Sequence, residues 1–324
     1  MTYSVVVIGA GNIAGGYDTP ASKQILTHLH AIQAEPRFEC GALFDLDTER
    51  ARRMGAVWDV PVAATLDEVM GRSFDVAVIA VPDPHHATYL EHMLRHDTGL
   101  VLCEKPLTQD IAQARSIAGG YKAAGKTLMV NYQRRFEQSV RQLRSEMVSG
   151  ALGKPLSGAV WYSKGIRHNG SHAIDLLRFL FGEVQAGIAR RKTFDFTEVD
   201  PSVAGTVRFN DVDIELLVGD ERLFSIFEID LLFEKGRYRY SQSGMQLERF
   251  EVRPDPVFPG YFEQLPVGSG PTALSTALGD VYTAIGDFLD TGAPLPATID
   301  DAVATQAICE SLASQPLDIW IPAD

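Results

Sequence analysis

The chain has 324 residues, which is long enough for two domains that each bury their own core. Hydrophobic residues make up 45% and charged residues 22%, the composition of an ordinary water-soluble globular protein. The formal net charge of −13 argues against nucleic acid and anionic membrane as partners, because both require a basic face.

The N-terminus and the cysteines predict a cytoplasmic protein. The chain opens directly with a strand, without the basic and cleavable apolar segments of a secretory signal. No apolar run approaches the ~18 residues that span a bilayer. Cys40, Cys103 and Cys309 lie far apart in apolar stretches, which predicts reduced core residues, and no metal site is expected.

The first part of the chain, residues 1–131, predicts a dinucleotide-binding domain with a doubly wound parallel sheet. Short β-branched runs alternate there with amphipathic segments, as in parallel strands covered by helices on both faces. The predicted strands are Ser4–Ile8, Glu39–Phe44, Asp75–Ala80, Leu100–Cys103 and Thr127–Val130. The predicted helices are Lys23–Gln33, Asp47–Met54, His85–Arg95 and Asp110–Ala124.

The second part, residues 132–324, predicts an α+β domain with a largely antiparallel open sheet. Its runs alternate polar and apolar residues, as in a sheet with one exposed face. These strands are Thr206–Phe209, Asp213–Val218, Leu223–Phe233 and Arg237–Ser241. Pro254–Pro271 is rich in proline and glycine and is predicted to be a long surface loop. Two helices, Ala273–Asp290 and Ile299–Ala313, follow, with the option that they pack back on the first domain.

A glycine-rich turn follows the first strand. Gly9, Gly11 and Ala14 form a G-x-G-x-x-A pattern directly after the residues SVVVI. The first glycine permits a tight turn, the second lets the backbone approach a pyrophosphate, and the small third residue lets helix and strand pack closely. The pattern predicts that Gly9, Gly11, Asn12 and Ile13 bind a dinucleotide. The alternative is a turn that only packs tightly.

Asp45 ends the second predicted strand, where an acid can accept hydrogen bonds from the adenosine ribose hydroxyls. A carboxylate there favours NAD over NADP, because it repels a 2′-phosphate. Asp45 lies 31 residues after Ala14, against a usual spacing of about 20, and the excess is Gly15–Ser22, which predicts an inserted loop. An ordinary helix-starting role for Asp45 or Asp47 is the alternative.

The segment Val101–Pro106, VLCEKP, carries an apolar strand into two opposite charges and a proline. The carboxyl edge of a parallel sheet is where ligands bind. Lys105, partly desolvated there, either has a lowered pKa or stays charged and stabilises a developing alkoxide. His172, in the first turn of a helix that Ser171 is predicted to cap, would be neutral and able to take a proton from a hydroxyl. Asp175 could hold His172 or contact substrate.

Four motifs occur together in one known family. They are the glycine turn, VPDPHH from Val81, EKP at Glu104–Pro106 and NGSHAID from Asn169. The chain resembles, over nearly its whole length, the glucose–fructose oxidoreductase / inositol dehydrogenase / MocA (Gfo/Idh/MocA) family of NAD(P)-dependent oxidoreductases. The resemblance implies a Rossmann domain, a second α/β domain whose open antiparallel sheet often mediates oligomers, and substrates that are sugars, nucleotide sugars or polyols.

The resemblance also implies roles for single residues. Lys105 matches the lysine near the nicotinamide and the reacting hydroxyl, and His172 matches the histidine of a D-x-G-x-H-x-x-D motif that ends at Asp175. The implied cofactor contacts at the strand ends are Val81, Pro82, His86, Glu104 and Lys105. The predicted catalytic residues are Lys105, His172, Asp175 and His168. The predicted substrate contacts are Lys105, Arg134, Lys164, Arg167, His168 and His172.

The sequence departs from the family at three positions. Asp83 stands where the family has Asn, Gln133 replaces an Asn before Arg134, and His168 occupies the first Asp of the histidine motif. In polyol-oxidising members that Asp partners the histidine in proton transfer. The relay in this chain must therefore differ, or its chemistry does.

These observations predict an NAD-dependent oxidoreductase that moves hydride between nicotinamide and a hydroxyl or carbonyl carbon of a sugar, nucleotide sugar or polyol. NADP is the less favoured cofactor, and a homodimer or homotetramer through the C-terminal sheet is expected. Two alternatives stay open. One is an NAD-binding regulator without turnover, and the other is an enzyme that uses NAD transiently for elimination, epimerisation or glycosidic cleavage with no net redox change.

Overall fold

The structure is a computed structural model and describes residues 2–210, 212–319 and 321–322. The chain divides into two units: the first holds the residues up to Phe136 and Ser275–Ala304, and the second holds Glu137–Leu274 and the residues from Thr305 onward. The first boundary between the units thus lies after Phe136, five residues beyond the predicted end of the first domain at Asn131. Ser275–Ala304 belong to the first unit as well. The assignment of the units to cofactor and substrate binding stays a prediction.

The first unit is built on five parallel strands in the order β2-β1-β3-β4-β5. They are β1 (Tyr3–Ile8), β2 (Phe38–Phe44), β3 (Phe74–Ile79), β4 (Thr98–Cys103) and β5 (Thr127–Val130). Most of their residues are fully buried, because helices cover both faces, and the strands therefore read as continuous apolar runs. The predicted doubly wound parallel sheet is confirmed. Its strand order reverses between β1 and β3, and such a switch point is where open α/β sheets bind ligands.

The helices around this sheet begin and end close to their predicted bounds, with three exceptions, one of which is the second helix, which runs to Trp58 instead of ending at Met54. The helices are α1 (His28–Ala34), α2 (Thr48–Trp58), α3 (Leu66–Met70), α4 (His86–Arg95) and α5 (Ile111–Ala123). The short α3 was missed because it is too short to show helical periodicity. α1 begins at His28 instead of at Lys23, because Asp18 binds the Leu26 amide and the Thr27 hydroxyl, and Thr27 caps the helix.

In its described residues the second unit has nine strands in the order β13-β12-β11-β10-β6-β9-β8-β7-β14. They are β6 (Pro155–Tyr162), β7 (Ala186–Thr193), β8 (Ser202–Phe209), β9 (Val212–Val218), β10 (Phe227–Phe233), β11 (Gly236–Ser241), β12 (Gln246–Pro254), β13 (Phe262–Pro271) and β14 (Ile321–Pro322). β6 and β9 run parallel, and the other neighbouring pairs are antiparallel. The predicted, largely antiparallel sheet is confirmed. Helices α6 (Gln138–Val148) and α7 (Ser171–Phe181) pack in its core.

The prediction of a long loop over Pro254–Pro271 was wrong for most of its length, because only residues 255–261 lie outside the strands. Residues 262–271 form β13, which pairs with β12 as the outermost strand of the sheet. An edge strand tolerates proline and glycine because one side of its backbone needs no ladder partner, so Pro266 and Gly268 do not break the pairing.

Two later helices, α8 (Ala277–Thr291) and α9 (Ile299–Ser314), complete the described helices. α8 contributes Val281, Tyr282 and Ile285 to the core beside β1 and α1. α8 packs against α1 of the first unit, although it follows Glu137–Leu274 of the second unit in sequence. Within the described residues no helix combines the length and the apolar character that crossing a membrane requires.

Candidate active site

The carboxyl edge of the parallel sheet extends one residue beyond the strands. The Gly9 amide donates to the last residue of β2 at 2.7 Å, and the Glu104 amide donates to the last residue of β3 at 3.0 Å. The Asn131 amide donates to the last residue of β4 at 2.8 Å. The glycine turn, the Glu104–Pro106 segment and Asn131 thus lie along one edge of one sheet.

The two glycines of the turn are required for different reasons. Gly9 has φ +108°, and a Cβ there would lie 2.5 Å from the Ala80 carbonyl oxygen, so the tight passage beside β3 admits only glycine. Gly11 has an ordinary φ of −85°, and a Cβ there would meet nothing within 4 Å. The fold itself therefore leaves Gly11 free to be larger, and open space lies where its side chain would project. A backbone exposed in this way fits a bound pyrophosphate.

A cleft of about 520 Å³ lies beside this turn within the first unit. Ala10, Gly11 and Asn12 line one side, and Arg50 and Arg53 of α2 lie among the residues of the other. Asn12 and Ile13 belong to the short π-helical turn Asn12–Gly16 that follows the glycines. The predicted dinucleotide contacts at the turn thus border a cleft that also carries two guanidinium groups.

Asp45 is buried at the end of β2 and its carboxylate already accepts four hydrogen bonds. Oδ2 accepts the Ala10 amide at 2.7 Å and Arg50 Nε at 3.3 Å, while Oδ1 accepts the Asp47 amide at 2.8 Å and Arg50 Nη2 at 2.6 Å. Burial acts to raise the pKa of Asp45, but Arg50 and the two amides outweigh it and hold that pKa below its ordinary value. Asp45 therefore fixes the glycine turn to α2, and its ribose contact stays a prediction.

His86 lies behind the edge, at the start of α4. Its side chain is fully buried, with Nδ1 2.7 Å from the Pro106 carbonyl oxygen and Nε2 3.0 Å from the Val81 carbonyl oxygen. The ring thus ties the segment after β3 to the segment after β4. Val81 is half-buried and Pro82 is exposed beside it, while His86 itself shapes the backbone that any cofactor would meet.

Glu104 and Lys105 follow β4, and both are half-buried. Glu104 Oε1 lies 3.0 Å from His28 Nε2 and accepts Asn131 Nδ2 at 2.6 Å. Arg134 lies in the short turn Gln133–Arg135 after β5, and burial lowers the pKa of its guanidinium to about 10, so it stays cationic at neutral pH. The first unit therefore presents an acid and a lysine at the end of one strand.

Three of the predicted substrate residues, Lys164, Arg167 and His168, lie on or beside one irregular turn of the second unit. Lys164 adopts a left-handed φ of 73° and is followed by the π-helical turn Gly165–Gly170. Asp200 accepts the amides of Arg167 at 2.9 Å and His168 at 3.0 Å. Arg167 binds Glu310 through two hydrogen bonds of 2.8 Å, which raises the pKa of its guanidinium.

Phe196, in the β7–β8 loop, joins two of these residues and was missed by the sequence analysis. Its ring centroid lies 5.1 Å from that of His168, and Lys164 Nζ lies 5.1 Å from the same centroid. Phe196 is 44% exposed, so much of the ring meets solvent. No motif marks it, and only its place in an aromatic-rich loop, with Phe194 two residues earlier, hints at such a platform.

His172 and Asp175 lie on α7, which begins at Ser171. The prediction that Ser171 caps this helix was wrong: the preceding residues are already helical, and the Ser171 hydroxyl donates to the His168 carbonyl at 3.3 Å. The His172 ring lies edge-on to Phe227 at 6.5 Å. Asp175 is 1% exposed and accepts a long 3.5 Å hydrogen bond from Thr305.

The fold and the glycine turn together define a dinucleotide-binding α/β protein, and sequence comparison specifies the family. Residues 3–132 match the sequence model of the oxidoreductase family with an NAD-binding Rossmann fold, Gfo/Idh/MocA. This match and the inositol 2-dehydrogenase relatives support the resemblance of the chain to the Gfo/Idh/MocA family. The first unit therefore has the NAD-binding Rossmann fold.

The curated relatives include dehydrogenases of sugar-like compounds. The chain is 30% identical over 218 residues to inositol 2-dehydrogenase 1 of Mycolicibacterium vanbaalenii, covering 59% of this chain and 62% of the relative. It is 26% identical over 247 residues to D-apiose dehydrogenase of Paraburkholderia graminis, covering 69% and 62%. The matches thus span less than two thirds of either relative.

A solved structure matches the whole fold. An oxidoreductase from Agrobacterium radiobacter, in complex with NAD+, L-tartaric acid and magnesium, superposes with a TM-score of 0.79 at 17% identity, covering 100% of this chain and 99% of that chain. At this identity the likeness establishes the fold.

Proposed function

We propose that the protein is an NAD-dependent oxidoreductase that transfers hydride between nicotinamide and a hydroxyl or carbonyl carbon of a sugar, nucleotide sugar or polyol. One observation carries the proposal: a single sheet edge bears both an open glycine turn beside a cleft and the Glu104-Lys105 pair. The turn suits the pyrophosphate of a dinucleotide, and the strand end suits the reacting groups. The names of the dehydrogenase relatives support the substrate class.

The cofactor would be held mainly by backbone and by a few polar side chains. Gly9, Gly11, Asn12 and Ile13 would meet the pyrophosphate, and Asp45 the adenosine ribose. Val81, Pro82, His86 and Glu104 would form the wall near the nicotinamide. When bound, the cofactor supplies the site that accepts or donates hydride.

NAD is the proposed cofactor because the Asp45 carboxylate, at the proposed ribose contact, would repel a 2′-phosphate. Arg50 offsets part of that charge, since it binds both Asp45 oxygens. A ribose contact by Asp45 would therefore share oxygens that already accept four protein donors. We expect NAD to bind more tightly than NADP.

The proton of the reacting hydroxyl would be handled by protein residues. Lys105 would stabilise the negative charge that develops on the substrate oxygen, and His172 would accept its proton. Asp175, buried one turn along α7, would orient His172, and His168 would act where related chains carry an acid. Lys164 and Arg134 would contact substrate hydroxyls or charges. Arg167 is a predicted contact as well, although its bidentate pair with Glu310 supports a structural role better.

The assembly and its location are part of the same proposal. The nine-stranded sheet is open, which suits a homodimer or homotetramer formed through that sheet. The cysteines Cys40, Cys103 and Cys309 are unpaired, as expected of a cytoplasmic protein.

Lys105→Ala is the direct test of the catalytic assignment. Free and nucleotide-linked sugars and polyols, including myo-inositol, are screened with NAD+ by NADH absorbance. On the best substrate we expect Lys105→Ala to lower kcat by about 10³-fold or more, because charge stabilisation at the reacting oxygen is lost. The NAD+ affinity, measured by calorimetry, should change little. Lys122→Ala, at an exposed lysine of the same unit, is the control. Ordinary turnover by Lys105→Ala would refute the assignment.

The same screen separates the alternatives. A regulator binds NAD+ but reduces none of it with any substrate, and an enzyme without net redox change consumes substrate while NAD+ stays oxidised. The presence of both Lys105 and His172 makes the regulator the weaker candidate.

A further inference from the structure

A buried histidine stands behind the proposed nicotinamide end of the site. His28, the first residue of α1, is fully buried, and its Nε2 lies 3.0 Å from Glu104 Oε1. Its Nδ1 lies 3.0 Å from the hydroxyl of Tyr282, which is fully buried on α8. The His28 ring on α1 thus contacts both Tyr282 on α8 and Glu104, which follows β4.

The Glu104 carboxylate is held at one oxygen by two side chains. Oε1 receives Asn131 Nδ2 at 2.6 Å as well as the contact with His28. Burial acts to raise the pKa of Glu104, but His28, Asn131 and the charge of Lys105 outweigh it, so that pKa lies below its ordinary value. The carboxylate therefore has a fixed orientation at the residue directly before Lys105.

The loop between the glycine turn and α1 explains how His28 reaches this position. Asp18, inside the Gly15–Ser22 insertion, accepts the Leu26 amide at 2.7 Å and the Thr27 hydroxyl at 2.5 Å. These bonds fix the start of α1, and the next residue is His28. The insertion that lengthens the spacing to Asp45 thus leads directly to the partner of Glu104.

Stability alone is a weak reason for this arrangement. An imidazole, a phenol and a carboxylate together bury polar groups that an apolar core would not have to satisfy, and well-packed hydrophobic residues often replace such clusters without loss. The cluster ends, however, at an acid on the strand end that presents Lys105. Fixing that acid is a use that an apolar side chain could not serve.

We propose that His28 is a positioning residue, which together with Asn131 fixes the Glu104 carboxylate to receive the carboxamide N–H of nicotinamide. The inference rests on the proposed function, because it needs a nicotinamide cofactor at this edge. It assigns a role in cofactor binding to His28, which lies outside the sequence motifs. It also gives the Gly15–Ser22 insertion a role, because Asp18 in that insertion fixes the start of α1. A carboxylate with one oxygen anchored can accept a hydrogen bond on the other without reorganising.

The test compares two ligands that differ only in the nicotinamide. Calorimetry gives the Kd of NAD+ and of ADP-ribose, which lacks nicotinamide, for wild type and for His28→Leu. We expect His28→Leu to weaken NAD+ about tenfold, equivalent to about 1.4 kcal/mol, and to leave ADP-ribose within about twofold. His96→Leu is the matched control, since His96 is 4% exposed and bonded to Arg72 and Thr98 at the opposite end of β4.

Two amide variants make the test independent of folding defects. His28→Gln can place an amide where Nε2 lies and should bind NAD+ nearly as wild type does. His28→Asn reaches only the Nδ1 side, towards Tyr282, and should bind as His28→Leu does. In a Glu104→Gln background, His28→Leu should weaken NAD+ binding by less than about a further twofold. Both substitutions act on the same contact, the one between the side chain at position 104 and the nicotinamide carboxamide.

Each outcome decides the matter. Loss of NAD+ affinity confined to the nicotinamide, with rescue by Gln alone, supports the role. Equal weakening of NAD+ and ADP-ribose would mean that His28 only stabilises the fold, and unchanged NAD+ affinity would mean that Glu104 needs no anchor. If the wild-type protein binds NAD+ no more tightly than ADP-ribose, the inference about His28 is refuted while the proposed function still stands. Wild-type protein that binds neither ligand would overturn the proposed function with it.

Discussion

Asp45 offers a prediction whose size can be worked from the structure. Asp45→Ala removes the acceptor of the Ala10 amide at 2.7 Å and the Asp47 amide at 2.8 Å. Hydrogen bonds to a charged group contribute about 1.5–3 kcal/mol each. The Arg50 side chain is 48% exposed, so its pair with Asp45 adds only about 0–1 kcal/mol. Counting the buried Ala10 amide fully, the more exposed Asp47 amide at half and the Arg50 pair at its small value, we expect a loss of about 2–5 kcal/mol.

The assay is urea unfolding at pH 7 followed by hydrogen exchange of peptides from β1, which reports the first unit alone. Asp45→Asn keeps an acceptor oxygen but loses the charge, and should cost about 1–2 kcal/mol. Arg50→Gln, the control, should cost about 1 kcal/mol or less. A loss below about 1 kcal/mol for Asp45→Ala would refute the view that this carboxylate holds the glycine turn.

The same carboxylate predicts a pH dependence. The folded pKa of Asp45 is lowered, so its charge stabilises the fold above the unfolded pKa of about 3.9 and this stabilisation is lost as the pH falls through the folded pKa. The stability difference between wild type and Asp45→Asn should therefore be constant near neutrality and shrink below about pH 4. A difference that persists unchanged in acid would contradict the assignment.

The remaining predictions concern space and stacking. Gly9→Ala should destabilise the first unit by several kcal/mol, because of its positive φ and its 2.5 Å approach to Ala80, whereas Gly11→Val should keep the thermal midpoint and lose NAD+ binding. Calorimetry and thermal melts check both, and NAD+ binding by Gly11→Val would contradict the proposed pyrophosphate site. Phe196→Ala should raise the KM for the best sugar about tenfold with kcat little changed, while Phe196→Tyr retains the wild-type KM. A fall in kcat at unchanged KM would instead assign Phe196 a role in the chemical step.

The elements that sequence reasoning predicted well are those with a local physical signature. The apolar runs of β1 to β5 indicate buried strands, and the glycine pattern after β1 indicates a tight turn. β13 was missed because edge pairing tolerates Pro266 and Gly268, which elsewhere mark a loop. The His28–Glu104 contact joins residues 76 apart. Nothing in either local segment specifies the other, so such a partner emerges only when the fold brings α1 to the end of β4.

The departure at His168 also becomes more specific once the fold is known. The carboxylate nearest its backbone is Asp200, but the two Asp200 oxygens accept the amides of Arg167 and His168, and burial raises the pKa of Asp200. Asp200 thus helps to shape the turn that carries His168. The His168 ring instead lies against Phe196. If His172 takes the substrate proton, the residue at 168 therefore offers an imidazole beside an aromatic ring where related chains carry an acid.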